Sequence, residues 1–477
     1  MNTAPIEKNP AGAAGAGEYR SGYVWFVSLV AALGGLLFGY DWVVIGGAKP
    51  FYEKFFHITN ANTQGWAMSC ALLGALAGAT LSGMACDRWG RKRMLIAAAL
   101  LFAISSLGTG LAGSFGVFIA WRMAGGAAVG LASNISPLYI AEIAPAHLRG
   151  RLVSLNQFTI VTGILLAQIV NWLIAQPVPD GATAQQILES WNGQTGWRWM
   201  FGVTAIPSAL FLAGALFVPE SPRWLAKQGR VDEARAVLGR IAGRAGGETA
   251  LTAILQTLGG KHEKIEWRAL FEPRMRRLLA LGIVLAVFQQ WCGINVVFNY
   301  AEEIFSAAGY SVSDILFNIV ITGSVNVVFT LVALGTVDKI GRRPLMLFGS
   351  AGLAVIYVLI GVSYAAHTQG AHVLIFVLGA IACYAMSLAP VTWVVISEIF
   401  PNRIRGVAMS VAVGFLWLAC FVLTFTFPIL NRALGPSGTF WIYAGVCAIG
   451  FAFMFFRLPE TKGRTLEELE NDAKPTL

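Results

Sequence analysis

Twelve stretches of about 20 mostly apolar residues, each long enough to cross a bilayer as a helix, punctuate the chain. They run over 23–46, 66–86, 94–113, 117–140, 154–176, 199–218, 277–299, 313–335, 345–365, 372–396, 407–430 and 439–457. Apolar residues follow one another continuously and do not alternate with period two, so spanning helices are predicted and barrel strands are not. Between Pro219 and Met275 the chain turns polar, with Val231, Ala234, Val237, Leu238 and Ile241 at helical spacing, which predicts short amphipathic helices there. The pattern divides the chain into a tail (1–22), a six-helix bundle (23–218), a linker (219–275), a second six-helix bundle (276–457) and a second tail (458–477).

Composition agrees with a life in lipid. Charged residues make up 12 % of the 477, about half the usual share of roughly 25 %, and mean hydropathy is +0.65. A soluble enzyme or a disordered chain is excluded. The first twenty residues lack the apolar core of a signal peptide, so the first stretch is expected to stay as an anchor. The net charge of +9 would suit nucleic acid only as a basic patch on a soluble domain. Instead, 29 of the 34 Lys and Arg fall on one side if both termini are cytoplasmic, which is the positive-inside bias. Lys49, Lys54, Arg198 and Arg432 are assigned to the outer side, and Arg122 lies within the fourth stretch.

Six cysteines lie in apolar stretches without a CxxC pair or a nearby His, so packing roles are expected and neither a disulfide nor a metal site is. No His, Ser or Cys constellation sits at catalytic spacing; no catalytic residue, metal or cofactor is assigned. The one Asn-x-Ser/Thr sequon, Asn134 to Ser136, lies inside the fourth stretch.

The halves repeat. DRWGRKR (Asp87 to Arg93) recurs as DKIGRRP (Asp338 to Pro344), and AEIAPAHLRG (Ala141 to Gly150) recurs as SEIFPNRIRG (Ser397 to Gly406). The offsets are 251 for Gly90 and Gly341, and 256 for both Glu142 and Glu398 and Arg149 and Arg405. A duplicated six-helix unit is the repeat logic of secondary transporters, which bind substrate at the midplane between the halves. Together with PESPR (Pro219 to Arg223), QQWCGIN (Gln289 to Asn295) and PETKGRTLEELE (Pro459 to Glu470), these motifs resemble the sugar-porter branch of the major facilitator superfamily. The look is nearest to bacterial proton-linked sugar symporters of the xylose type. The resemblance implies an all-α protein of twelve transmembrane helices in two pseudo-symmetric bundles rocking about a central sugar site.

Asp41, in FGYDWVVIGG, is a carboxylate inside an apolar helix, where a charge costs about 2.5–3.5 kcal/mol on insertion scales. Arg122 is the other strongly charged residue near mid-membrane in this half. A static ion pair is one reading. The resemblance implies the other, with Asp41 as proton carrier and Arg122 as its switchable partner. Some symporters carry an acid in helix 6 where this chain has Thr204.

A neutral polyol needs amides and flat apolar surfaces. Gln157, Gln289, Gln290, Asn295 and Asn326 are the candidate amides, and all match the family's sugar-contact positions. Interhelical glue is the competing role for a lone amide. Gln289 and Asn295 would point about 120° apart on an unbroken helix, but Gly293 between them could break it. Trp393 and Trp417 match the family's aromatic walls, and Phe38 is a candidate third wall. Ala389, Asn299 and Leu416 stand where xylose-type porters tend to have Gly, Tyr and a polar amide.

Asp87, Gly90 and Arg91, with Glu142 and Arg149, and their repeats Asp338, Gly341 and Arg342, with Glu398 and Arg405, are implied to form a charge network that closes the cytoplasmic side. Small residues recur at every fourth position in Gly74, Gly78 and Ser82, in Gly126 and Gly130, and in Gly406, Ser410 and Gly414, surfaces expected to let helices slide. The reading is a proton-coupled monosaccharide (pentose or hexose) symporter of a bacterial inner membrane, monomeric, with sugar, proton and lipid as partners and no nucleic acid. A facilitator of the same fold is the alternative, and a sugar sensor a remote one.

Overall fold

The computed structural model describes residues 21–179, 181–259, 272–368, 370–400 and 405–460; the side chains of Asp338 and Arg405 and most of the PETKGRTLEELE motif lie outside these. Among the described residues every regular element is helical. The first half contains α1 (Ser21–Phe55), α2 (Ala61–Trp89), α3 (Arg91–Gly110), α4 (Phe115–Ile143), α5 (Ala146–Ile174) and α6 (Asn192–Phe217). The second contains α7 in two pieces (Pro273–Trp291 and Ile294–Asn299), α8 (Val312–Ile340), α9 (Arg342–Ala365) and α10 in two pieces (Ala371–Met386 and Leu388–Ile399). A last helical run, Arg405–Arg457, is interrupted by Gly435 at φ +69°. Only glycine adopts that conformation cheaply, and Pro436 follows it, so the run is two helices, α11 (405–434) and α12 (436–457). Twelve spans result.

Several helices outrun their apolar stretches. α1 continues nine residues past position 46, and α5 starts at Ala146, well before 154. A helix has to keep its backbone hydrogen-bonded until it reaches water, whereas hydropathy ends at the first charge. The linker carries helices Pro222–Lys227 and Val231–Gly259, the second kinked at Gly243. Ala234, Val237, Leu238 and Ile241 are buried there, which is the amphipathic face expected from their spacing. Large apolar side chains ring the spans: Phe217 and Phe456 are each 78 % exposed, as suits a lipid-facing surface.

Gly74 and Gly78 on α2 lie against the carbonyls of Met123 and Ala127 on α4, and Gly126 and Gly130 on α4 lie against those of Ala71 and Ala75 on α2. A Cβ on any of the four would stand 1.8–2.2 Å from a backbone oxygen. These stripes pack two helices of one bundle backbone to backbone. The third stripe is different: a Cβ on Gly406 or Gly414 would meet nothing within 4 Å. Spacing alone does not say whether a small-residue stripe has a partner.

Gly78→Val is expected to lower the thermal midpoint of the purified protein, with about 1–3 kcal/mol lost to overpacking, whereas Gly414→Val should leave it within error. Thermal unfolding in detergent measures both.

Candidate functional site

The charge pair forms in the first bundle. α1 presents Asp41 at 7 % exposure and α4 presents Arg122 at 3 %, with the Arg122 Nη1 donating to Asp41 Oδ1 at 2.8 Å. Arg122 Nη2 also donates to the Asp41 carbonyl at 3.4 Å, and the guanidinium lies 5.4 Å from the Phe201 ring centre. Gly125, one turn along α4, leaves room: a Cβ there would stand 3.6 Å from Asp41 Oδ1. Thr204 is buried beside Tyr40, the residue that precedes Asp41.

Asp41 and Arg122 border a small cavity, with room for about one water molecule, whose other walls include Trp42, Met68, Asn299 and Trp417. Two of these walls, Asn299 and Trp417, come from the second half of the chain. Phe38, Trp42 and Trp417 form a triangle with ring centres 6.0 Å apart on each side. Sequence reasoning named Phe38 and Trp417 but passed over Trp42, although its position beside Asp41 was the signal. The Asn299 Oδ1 is buried without a hydrogen bond, so the residue that departs from the family pattern carries an unused acceptor at the cavity wall.

The α7 break occurs where Gly293 predicted it, at φ +86°. It brings the amides together: Gln290 Nε2 donates to Gln289 Oε1 at 2.6 Å, and Asn295 Nδ2 donates to Gln290 Oε1. Asn295 also approaches Cys420 Sγ at 3.6 Å. Gln289 and Gln290 are 4 % and 6 % exposed. Asn326 is buried on α8, Gln157 half-buried on α5, and Trp393 is 37 % exposed on α10. No hydrogen bond or ring contact among the described residues joins these three to the α7 amides or to the aromatic triangle. Leu416 is buried, in place of a polar amide.

At the turns before α3 and α9 the repeats build matching devices. Arg91 Nη2 reaches Glu142 at 3.0 Å in the first half, and Arg342 Nη2 reaches Glu398 at 3.1 Å in the second. Asp87 pairs with Arg91 at 3.5 Å and with Lys227 of the linker at 3.0 Å. Two carboxylates that sequence reasoning left without a role complete the design. Glu220, of PESPR, accepts the backbone N–H groups of Arg91 and Lys92 at 2.8 and 3.1 Å, and Glu460 accepts those of Arg342 and Arg343 at 3.0 and 3.1 Å. Each caps the N-terminus of the following helix, where orphan donors and the helix dipole favour an anion. Gly90 (φ +91°) and Gly341 (φ +110°) make these turns, and a Cβ at either would run into the capping carboxylate. The side chain of Arg149 is exposed and has no ion pair among the described residues; Asp338 and Arg405 cannot be placed in the network, since their side chains lie outside the described residues.

Lys49, assigned to the outer side beyond the first apolar stretch, is part of a helix and buried. It lies inside α1 at 1 % exposure, held by Glu53 at 3.2 Å, Glu302 at 3.2 Å and Glu303 at 2.5 Å. The Lys49 and Glu53 spacing of one helical turn was the available signal; the Glu302 and Glu303 partners lie 253 and more residues away.

Two six-helix halves with duplicated capped turns, around a buried ion pair and a cluster of amides, define a polytopic membrane transporter. The family model "Sugar (and other) transporter" matches residues 27–473, and the chain belongs to that family. It is 39 % identical to the D-xylose-proton symporter of Escherichia coli K12 over 95 % of this chain and 96 % of that one. It is 40 % identical to the glucose transport protein of Synechocystis, covering 94 % of this chain and 97 % of the relative. A solved structure of the E. coli xylose transporter XylE, in a partially occluded inward-open conformation, matches with a TM-score of 0.82 at 37 % identity, over 93 % of this chain and all of that one.

Gly293→Val is expected to strain the αL turn by about 1–2 kcal/mol and to push against the Tyr443 ring, 2.9 Å from a Cβ at this position. Gln290 and Asn295 should then separate and sugar affinity should fall, while the Asp41 to Arg122 contact is unaffected; equilibrium binding of radiolabelled sugar checks this.

Proposed function

We propose that this protein takes up a pentose or hexose by coupling its entry to protons moving down their gradient. The observation that carries the reading is the Asp41 to Arg122 pair at 2.8 Å, buried in the spans and facing a cavity shared by both halves. The xylose–proton and glucose transport relatives support the substrate class. Asp41 is the proton carrier. A proton on its carboxylate cancels the charge that holds the guanidinium, so the α1 to α4 contact loosens. Proton release restores the attraction, and an unpaired buried ion is costly enough to make the two states distinct.

The sugar site is neutral. Gln289, Gln290 and Asn295 supply donors and acceptors, Gln157 and Asn326 add amides, and Phe38, Trp393 and Trp417 cover C–H faces. Trp42 joins this set, because it bridges the aromatic triangle and the residue that binds the proton. Asn299 and Leu416 alter the polar pattern of the wall and tune which sugar fits. The repeated Arg–Glu pairs supply the charges of the cytoplasmic gate: each binds within its own bundle in this conformation, and the gate closes when the two sets meet across the bundles.

The bundles divide at 23–218 and 276–457, with 219–275 as a cytoplasmic linker. Both termini face the cytoplasm of a bacterial inner membrane, and the working unit is a monomer. The basic linker and the basic α2 to α3 turn support this orientation. One feature favours a facilitator instead: Thr204 replaces an acid that some symporters carry.

Proteoliposome uptake separates the two. At one proton per sugar, a gradient of about one pH unit concentrates sugar about tenfold, since each factor of ten is about 1.4 kcal/mol. Wild type should reach that ratio and lose it with an uncoupler. Asp41→Asn should abolish accumulation while retaining sugar exchange across the membrane. Concentrative uptake by Asp41→Asn would overturn the coupling role, and uncoupler-insensitive equilibration by wild type would establish a facilitator.

A further inference from the structure

The geometry points to Lys49 as an outer latch: a single buried ammonium that ties α1 of the first bundle to the segment after α7 of the second, and so sets how readily the outer side opens. The inference rests on the two bundles rocking about a central site, but not on the identity of the sugar or on proton coupling.

Lys49 and Glu53 belong to α1, whereas Glu302 and Glu303 open the short helix Ala301–Ala307 that continues α7 outward. Lys49 thus has one carboxylate within its own helix and two across the interface between bundles. Its side chain is 2 % exposed, against 24 % and 21 % for Glu302 and Glu303, so the cation is sealed and its cross-bundle partners lie nearer to water. Tyr300 places its ring 5.9 Å from the ammonium, and Gln64 of α2 donates to the second oxygen of Glu53 at 3.1 Å. The ammonium is the only cation in this group, and it faces three carboxylates. With Lys49 removed, Glu53 would confront Glu302 and Glu303 across the interface with nothing between them.

Other contacts on the same face also join the bundles. Arg432 donates to the Thr59 carbonyl at 2.7 Å, the Val178 N–H donates to Ser313 Oγ at 3.1 Å, and Gly46 of α1 sits against the Asn299 carbonyl. The outer side is therefore closed in this conformation. At the inner edge, Arg91 with Glu142 and Arg342 with Glu398 each bind within one bundle. The Lys49 group is the buried charged contact among these outer links. An outward-facing state has to break its cross-bundle arms, and the buried ions make that break costly unless water enters as they part.

The test reads the outer gap without any substrate. The six native cysteines are buried, so nitroxide labels at Ser114→Cys, just before α4, and Ala371→Cys, at the start of α10, both exposed, report the distance between bundles by pulsed electron resonance. Wild type should give mainly the short distance. Lys49→Met should raise the ratio of long to short distance by roughly fivefold or more, the scale of a typical coupling between states. The triple variant Lys49→Met, Glu53→Gln, Glu303→Gln removes most of the repulsion and should return toward wild type. Glu302→Gln with Glu303→Gln, which keeps the Lys49 to Glu53 pair and the fold of α1, should widen the gap by a smaller factor and serves if Lys49→Met does not fold. An unchanged distribution in a monodisperse Lys49→Met protein, or in the double glutamine variant, would overturn the latch. A failure of the sugar-coupling reading would appear separately, as wild-type vesicles that take up no sugar while the distances still respond to Lys49.

Discussion

An ion inside a membrane protein has to find a counter-ion, because neither lipid nor packed side chains can replace its water. That constraint organises this molecule. Most of its Lys and Arg fall in the polar segments between the apolar stretches. Among the described residues the buried ones include Arg91 with Glu142 at the basic edge and, away from that edge, two groups, Asp41 with Arg122 and Lys49 with its carboxylates. One group lies within a bundle and faces the cavity; the other crosses between bundles on the outer face. A pair within a bundle can change its charge state with little motion of the whole, whereas a pair between bundles is broken or made by the motion itself. The two groups therefore suit different tasks, one chemical and one mechanical.

Rigid halves are the complement to this economy of charge. The α2 to α4 contact brings glycine against carbonyl in both directions, which leaves no slack for those helices to move separately. The turns before α3 and α9 are each held by a carboxylate that caps the helix it faces. These are strong local constraints at equivalent places in the two halves, as a duplicated unit requires. The helical backbone is interrupted at breaks such as Gly293 in α7. Gly293 also explains how amides six residues apart come to share one hydrogen-bonded cluster.

Local pattern and scarcity were the legible features of the chain. Twelve apolar stretches, the amphipathic linker helix and the α7 break come from hydropathy, spacing and a single glycine. Asp41 with Arg122 was legible because so few charges lie deep in the first half. Lys49 was not, since the first apolar stretch ends at position 46 and leaves the residues beyond it to water; its cross-bundle partners are some 250 residues distant. Glu220 and Glu460 stood in recognised motifs, yet their capping role depends on where the preceding helix ends in space. The stripe at Gly406 and Gly414 matched the spacing of α2 and α4 but meets no neighbour within reach of a Cβ. Gln157, Asn326 and Trp393 match site positions, and only their surroundings distinguish them from the amides that touch one another.

The amino-acid order by itself determined that this chain crosses a membrane twelve times as a duplicated bundle, and that one carboxylate in its first half needs an internal partner. These are consequences of transfer free energy, which is summed residue by residue along the chain. The tertiary structure alone decided which charges meet across the bundles, which glycines touch a carbonyl, and which aromatic rings wall the cavity. Those are contacts between residues far apart in the chain, and their energy depends on distance and on exclusion of water, neither of which exists until the helices pack.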